Sequence, residues 1–288
     1  MLKDMMFHIV QSTSLYDRYV IKKTFLENLG YKCNLWHPKT FNEKINWYKL
    51  NDKNPLYPSL IDKISVKPIV ASVIGEQYII KSISEGYTNA TQIPWDDLPD
   101  QFVVKCNHDS GSTIVCTDKS RFDVEFATKQ LNKALSIKSS QTYTRARICE
   151  KIAPKILIEE YLMGGDLKDY KFFCFNGKAK IFKIDRGRQL GKHRANYYLV
   201  DGTFIDCSEE CCPNLKESID VFPSNFGEMV DIANKLATFV KREFIRVDLY
   251  NVNRKIYFGE LTFYPAGGYG KFELEKWDRI FGDMIHLQ

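Results

Sequence analysis

Several common signatures are missing from this 288-residue chain. It has no dense run of basic residues: 41 Lys and Arg are interspersed with 36 Asp and Glu, for a net charge of +5. That mild surplus permits an anionic ligand but does not call for nucleic acid. No apolar run is long enough to span a bilayer, and the opening "MLKDMMFHIVQSTSLYDRYV" is too polar and too interrupted for a secretion signal. The eight cysteines (33, 106, 116, 149, 174, 207, 211 and 212) are therefore expected as reduced thiols in the cytoplasm. The "CSEECC" stretch lacks paired C-x-x-C spacing and a nearby histidine, so zinc is not expected there. His8, His37, His193 and His286 fall in no ligand pattern. There is no G-K-[ST] of a Walker loop. Nor is there an Asp-x-Asp of the kind a sugar-nucleotide glycosyltransferase uses at a strand end, and no internal repeat.

What is present describes a globular protein: 44% hydrophobic and 27% charged residues, with enough length for one or two cored domains. The first sixty residues read as mainly helical, with "LYDRYVIKKTFLENLGY" stopped by Gly30. "LIDKISVKPIVASVIG" reads as a helix with Pro68 at a start or kink. After the turn-rich "QIPWDDLPD" the texture changes to strands mixed with helices. "FVVKCNHDSGSTIVCT" reads as two strands around a Ser/Gly loop, "VEFATKQLNKAL" as a helix and "KILIEEYLM" as a strand. "DYKFFCFNGKAKIFKIDR" is a hairpin marked by Asn176-Gly177. "NFGEMVDIANKLATFVKR" has helical apolar spacing, with Asn225 and Glu228 set as a capping box. Antiparallel hairpins mixed with helices point to an α+β class.

Three stretches carry candidate chemistry. In "RVDLYNVNRKIYFGELTFYP", a turn at Asn253-Arg254-Lys255 pairs 252 with 256, 250 with 258 and 248 with 260. Period-two alternation then gathers Arg246, Asp248, Tyr250, Phe258, Glu260 and Thr262 on one face, leaving Ile245, Val247, Leu249, Tyr257, Leu261 and Phe263 for the core. Facing carboxylates repel, by roughly 4 kcal/mol at ~4 Å and an effective dielectric of ~20. Arg246 or a divalent cation is needed to offset that, and oxygen donors at this density suit Mg²⁺. In "VVKCNHDSGS", Lys105 precedes a loop whose Ser110, Gly111 and Ser112 let backbone N–H groups approach an anion. In "ILIEEYLMGGDLKDYKFF", the strand end Glu159, Glu160, Tyr161 and Leu162 suits an adenine edge. There Asp166 suits ribose hydroxyls and Lys171 a phosphate. Read singly, each stretch is equally an exposed polar turn or an ordinary ion pair.

Together, "FNEKINWYKL", "FVVKCNHDSGS", "IEEYL", "GDLKDYKFFCFNGK", "FIRVDLYNVNRKIYFGELTFYP" and "GYGKFELEKWD" resemble the ATP-grasp superfamily, and within it the TupA-like branch associated with teichuronopeptide and capsular polysaccharide synthesis. The resemblance implies an ATP-grasp fold in which two α+β subdomains clasp ATP. The corresponding divisions are a helical N-terminal region (1–98), a lid subdomain (99–165) and a C-terminal catalytic subdomain (166–288). It implies phosphate binding by Lys105 and Lys171, an adenine hinge at Glu159 to Leu162, a ribose contact at Asp166 and metal binding by Asp248 and Glu260. Arg246 would steady the transferring phosphoryl group, and Arg186 would contact substrate or phosphate. Thr262 stands where many relatives carry asparagine, and Asp109 where the loop usually has glycine. The implied activity is an ADP-forming ligase joining a uronic-acid carboxylate of an acidic saccharide or sugar nucleotide to an amino acid or amine, with ATP and Mg²⁺. A sugar kinase on the same fold, a glycosyltransferase and a saccharide-binding protein are the alternatives.

Overall fold

The computed structural model describes residues 14–137, 144–162, 167–187, 193–215 and 220–287. Helices α1 (Ser14–Leu29), α2 (Phe41–Asn51), α3 (Tyr57–Ile61) and α4 (Val66–Ile74) come first. The helix expected across 60–75 breaks at Asp62: its side chain accepts from the Ile64 amide and the Ser65 hydroxyl, and α4 restarts with Pro68 in its first turn. α2 opens with a capping box in which Thr40 Oγ1 accepts from the Glu43 amide and Glu43 accepts from Thr40 N–H.

Strand β1 (Ser82–Tyr87) belongs not with this helical region but with the first sheet. β2 (Phe102–Cys106), β3 (Ile114–Cys116) and β4 (Ile156–Glu160) complete that sheet in the order β1-β4-β2-β3, with every pair antiparallel. Helix α5 (Val124–Ser136) packs Ala127, Leu131 and Ala134 on one face, against Phe102, Val104, Ile156 and Ile158. Alternation sends Lys105 and Glu159 out of the other face.

The second sheet has the order β10-β9-β5-β6-β7-β8 and is also antiparallel. Its strands are β5 (Asp169–Phe175), β6 (Lys178–Arg186), β7 (Arg194–Leu199), β8 (Phe204–Ile205), β9 (Phe244–Val252) and β10 (Lys255–Thr262). One face buries Phe172, Phe182, Ile184, Ile245, Val247 and Leu249 beneath helix α6 (Phe226–Val240) and α4. The opposite face is divided lengthwise. At one end Phe173, Phe175, Ile181 and Phe244 pack under α2 and helix α7 (Lys276–Asp283). At the other, the same strand positions carry Lys171, Lys183, Asp185, Arg246 and Asp248. No helix among the described residues is long and apolar enough to cross a membrane.

Two local expectations are corrected. Asn225 makes no side-chain cap on α6: its amide donates to the Arg254 carbonyl and its oxygen accepts from Asn251, while Glu228 accepts from Tyr78. The hairpin β9–β10 turns through two residues, Asn253 and Arg254, both at positive φ, rather than three. A bulge at Gly259 then supplies the missing residue, so Asp248 still faces Glu260. Below the bulge the faces exchange: Phe258 joins the core opposite Leu249, and Tyr257 lies opposite Tyr250.

Candidate active site

The polar halves of the two sheets line one cavity of about 1420 Å³. On the second sheet, Arg246 donates from Nε to Asp248 Oδ1 (2.7 Å) and from Nη2 to Asp248 Oδ2 (2.6 Å), a two-point ion pair between residues that share a face at i and i+2. The same guanidinium donates to Thr262 Oγ1 at 3.0 Å, and Thr262 passes the contact on, donating to Glu260 Oε1 at 2.8 Å. Lys171, 4% exposed, donates to Asp169 and to Asp248 Oδ2 (3.2 Å) and lies 3.6 Å from Asp185 Oδ2.

These contacts set the protonation states. Burial opposes charge on Lys171, yet Asp169 and Asp248 raise its pKa above the ordinary lysine value. Burial, reinforced by Asp248 and Asp185, lifts the Asp169 carboxyl to about 6 against the pull of Lys171. Burial also penalises Glu260 as an anion, but Lys63, Arg246 and Lys171 hold it down at about 2.

On the first sheet one carboxylate serves two lysines: Glu159, 4% exposed, pairs with Lys105 and with Lys67 at 2.7 Å. Burial raises its pKa, and the two ammonium groups overcome this and leave it depressed. The loop after β2 is pinned at both ends. Asn107 is fully buried, donating to Asp62 and to the Ala153 carbonyl and accepting from the Lys155 amide. Ser112 turns inward, accepting from the Cys106 amide and donating to Asp109 Oδ1 at 2.5 Å. Asp109 thus folds back on its own loop, and Lys63 donates to its carbonyl. Ser110 and Gly111 remain exposed at the cavity, and a Cβ on Gly111 would meet nothing within 4 Å. Open space at that backbone suits approach by a ligand.

Of the residues singled out from sequence, Lys105, Ser110, Gly111, Glu159, Glu160, Tyr161, Leu162, Lys171, Arg246, Asp248, Glu260 and Thr262 line this one cavity. Ser112 braces the loop instead of lining the cavity. Arg186 does not reach it: one residue beyond Asp185 on β6, it points to the opposite face and pairs with buried Asp220. Asp166 lies outside the described residues. Sequence reading missed Lys63, Lys67, Asp169 and Asp185. Asp169 shares a strand face with Lys171 by alternation and was available to that argument; Lys63 comes from the turn between α3 and α4 and Lys67 from α4, neither within a motif.

Asp248, Glu260 and Thr262 present hard oxygen donors side by side, and Asp169 Oδ1 is buried with no hydrogen bond among the described residues. This donor set fits Mg²⁺.

The sequence model of one family, the TupA-like ATPgrasp, matches residues 43–286. No curated protein gives a significant sequence match. Among solved structures, D-alanine–D-alanine ligase from Bacillus anthracis complexed with ATP is 16% identical (TM-score 0.40), over 70% of this chain and 54% of that one. The L-amino acid ligase from Bacillus licheniformis is 11% identical (TM-score 0.48), over 89% and 57%. D-cycloserine synthetase DcsG is 14% identical (TM-score 0.46), over 93% of each chain. The chain spans about half the length of the D-alanine–D-alanine ligase and of the L-amino acid ligase.

Proposed function

The chain belongs to the TupA-like ATP-grasp family, and from that premise we propose that it is an ADP-forming carboxylate–amine ligase. Its acceptor would be the uronic-acid carboxylate of a surface polysaccharide or its precursor, and its co-substrate an amino acid or other amine. One observation carries the reading: the two walls of the cavity have opposite charge. The first wall offers Lys105 from β2 and Lys67 from α4 against Glu159, while the neighbouring Glu160 pairs with Lys81. The second sets Asp169, Asp185, Glu209, Asp248 and Glu260 against Lys171, Lys183 and Arg246. A nucleotide triphosphate with its cation needs both: ammonium groups for phosphate oxygens and surplus carboxylate for the metal.

In this reading Lys105 and Lys171 hold the phosphates, Glu159 to Leu162 border the adenine, and the exposed backbone at Ser110 and Gly111 covers the phosphate chain. Asp166 is the residue proposed for the ribose. Asp248, Glu260 and Thr262 would hold Mg²⁺, which supplies charge neutralisation on the transferring phosphoryl group. Arg246 is fixed at two points by Asp248, so it meets growing negative charge with little reorganisation. The chemistry is phosphoryl transfer to the carboxylate, giving an acyl phosphate, followed by attack of the amine and release of phosphate. An overall charge of +5 suits an acidic acceptor. All eight cysteines are free, which suits a reducing, cytoplasmic setting.

The test uses a panel of uronic acids with Mg–ATP and hydroxylamine in place of the amine. The expected product is a hydroxamate. With ¹⁸O in the acid's carboxylate, one label should pass to phosphate. A product phosphorylated on a sugar hydroxyl and inert to hydroxylamine would identify a kinase and end the ligase reading.

A further inference from the structure

A second cluster of chemically active side chains lies on the same wall, beyond Asp185, and the ATP reading leaves it unused. Asp185 is the penultimate residue of β6, His193 precedes β7, and Cys211 and Cys212 close the loop after β8, where Glu209 bridges to Cys212. One donor atom from each of Asp185, His193 and Cys212 lies within 4.8 Å of the other two, and the same holds for Glu209, Cys211 and Cys212. Cys212 belongs to both groups and is fully buried. We propose that Cys212, His193 and Asp185, with Cys211 at the rim, form a cation site separate from the Asp248–Glu260 acids, and that it takes a borderline-soft divalent ion of the zinc class.

Four observations support it. The first is donor type: sulfur, imidazole nitrogen and carboxylate oxygen together suit zinc-class ions, whereas Mg²⁺ prefers oxygen alone. The second is spacing. Cys211 Sγ and Cys212 Sγ are 3.6 Å apart, and two sulfurs at ~2.3 Å on one tetrahedral ion are roughly 3.8 Å apart. His193 Nε2 lies 3.4 Å from Asp185 Oδ2, a comparable ligand–ligand edge. The third is hydrogen bonding: Asp185 is 3% exposed, and its Oδ1 and His193 Nε2 have ion-pair contacts at 3.4–3.5 Å but no hydrogen bond among the described residues. Buried polar atoms are normally satisfied, and an ion would satisfy both. The fourth is charge. A divalent ion with two thiolates and Asp185 leaves one negative charge. The buried Lys183 ammonium stands 3.5 Å from Asp185 Oδ1, 3.8 Å from Cys212 Sγ and 2.8 Å from Glu209 Oε1, where it offsets that charge.

Binding transfers one proton from each ligating thiol to solvent as its sulfur lone pair is donated to the ion; nothing is oxidised. The site also touches the ATP wall, because Lys171 lies between Asp185 (3.6 Å) and Asp248 (3.2 Å). An ion that holds Asp185 therefore fixes one of the carboxylates that orient Lys171.

The experiment uses the full chain purified with a phosphine reductant, so that a Cys211–Cys212 disulfide does not compete. Zinc is added, excess is removed, and metal is counted by mass spectrometry; Co²⁺ is then exchanged in and its absorption recorded. The expected result is one zinc per chain and a thiolate-to-cobalt charge-transfer band. Both should be lost in Cys212→Ser, zinc affinity should fall at least about tenfold in His193→Gln, and both signals should persist in Glu260→Gln. If Cys212→Ser does not fold, His193→Gln and the rim variant Cys211→Ser carry the test, each expected to weaken zinc at least about tenfold. Unchanged zinc affinity in both, or zinc lost in Glu260→Gln but retained in His193→Gln, would overturn the proposal.

Discussion

The two walls of the cavity solve the same problem, holding a lysine in place, in opposite ways. On the first sheet Lys105 shares Glu159 with Lys67, and the excess charge is positive. On the second, Lys171 is shared among Asp169, Asp185 and Asp248, and the excess is negative. The first arrangement leaves ammonium capacity for an anion. The second holds its lysine more rigidly and leaves carboxylate capacity for a cation. Where charges are surplus, rather than which residue types occur, distinguishes the two walls.

The sharpest way to break the comparison is Glu260→Gln, which removes the most accessible of the second wall's carboxylates. ADP formation is expected to fall by about a thousandfold, with the chain still folded at neutral pH but less stable, because the charge that holds Glu260 at about 2 is gone. Near-normal turnover at saturating Mg²⁺ would mean that the negative wall is not the metal wall.

The two lysines come next. Lys171→Ala leaves three buried carboxylates without their shared partner and should cost about 3–5 kcal/mol of stability. Lys105→Ala leaves Glu159 paired with Lys67 and should cost less than about 1 kcal/mol. Both should weaken an ATP analogue about ten- to a hundredfold by calorimetry. Equal destabilisation by the two variants would erase the distinction drawn between the walls.

Stability should also depend on pH through Asp169. Its folded pKa is raised from 3.8 to about 6, so the native state holds the proton more tightly than the unfolded chain. That contribution is complete below about pH 4 and is lost as pH rises through about 6, on the order of a few kcal/mol. Asp169→Asn should remove this decline from the profile of melting temperature against pH. Glu260 works in the other direction: its depressed pKa contributes above 4.5 and is lost as pH falls toward about 2. A variant profile that still declines between pH 4 and 6 would exclude Asp169 as its source.

A purely structural test lies at the bulge. A Cβ on Gly259 would stand 3.0 Å from the Asp248 carbonyl and 3.0 Å from the Tyr250 ring. Gly259→Ala should cost about 1–3 kcal/mol in urea unfolding. An unchanged midpoint would mean that the bulge can relax.

Much of the site was legible because it follows strand alternation. Arg246, Asp248, Glu260 and Thr262 are two apart along their strands, and Lys105 and Glu159 stand on neighbouring strands of one sheet. Arg186 was misplaced for want of the same argument: as the neighbour of Asp185 it has to face the other way. Lys63, Lys67 and His193 reach their positions from segments without strand periodicity, and no spacing rule connects them to residues distant in the chain.

The sequence alone determined the composition of each strand and the chirality of its turns. Asn176-Gly177 adopts positive φ and closes a two-residue hairpin as its residue types dictate, whereas at Asn253-Arg254 the turn's place was legible but its two-residue length was not. Only the tertiary structure decided the registers. Each hairpin carries one extra residue on its second strand, at Lys180 and at Gly259. Without the first, Phe182 and Ile184 would face the cavity, and Lys183 and Asp185 would face the core. Without the second, Glu260 would stand opposite Val247 on the buried face. Local propensity accepts either register, since a shift of one residue leaves the backbone hydrogen bonds intact. The choice falls to α6 and α4 on one side of the sheet and the charged cavity on the other, because burying Asp185 or Glu260 among phenylalanines costs far more than a bulge.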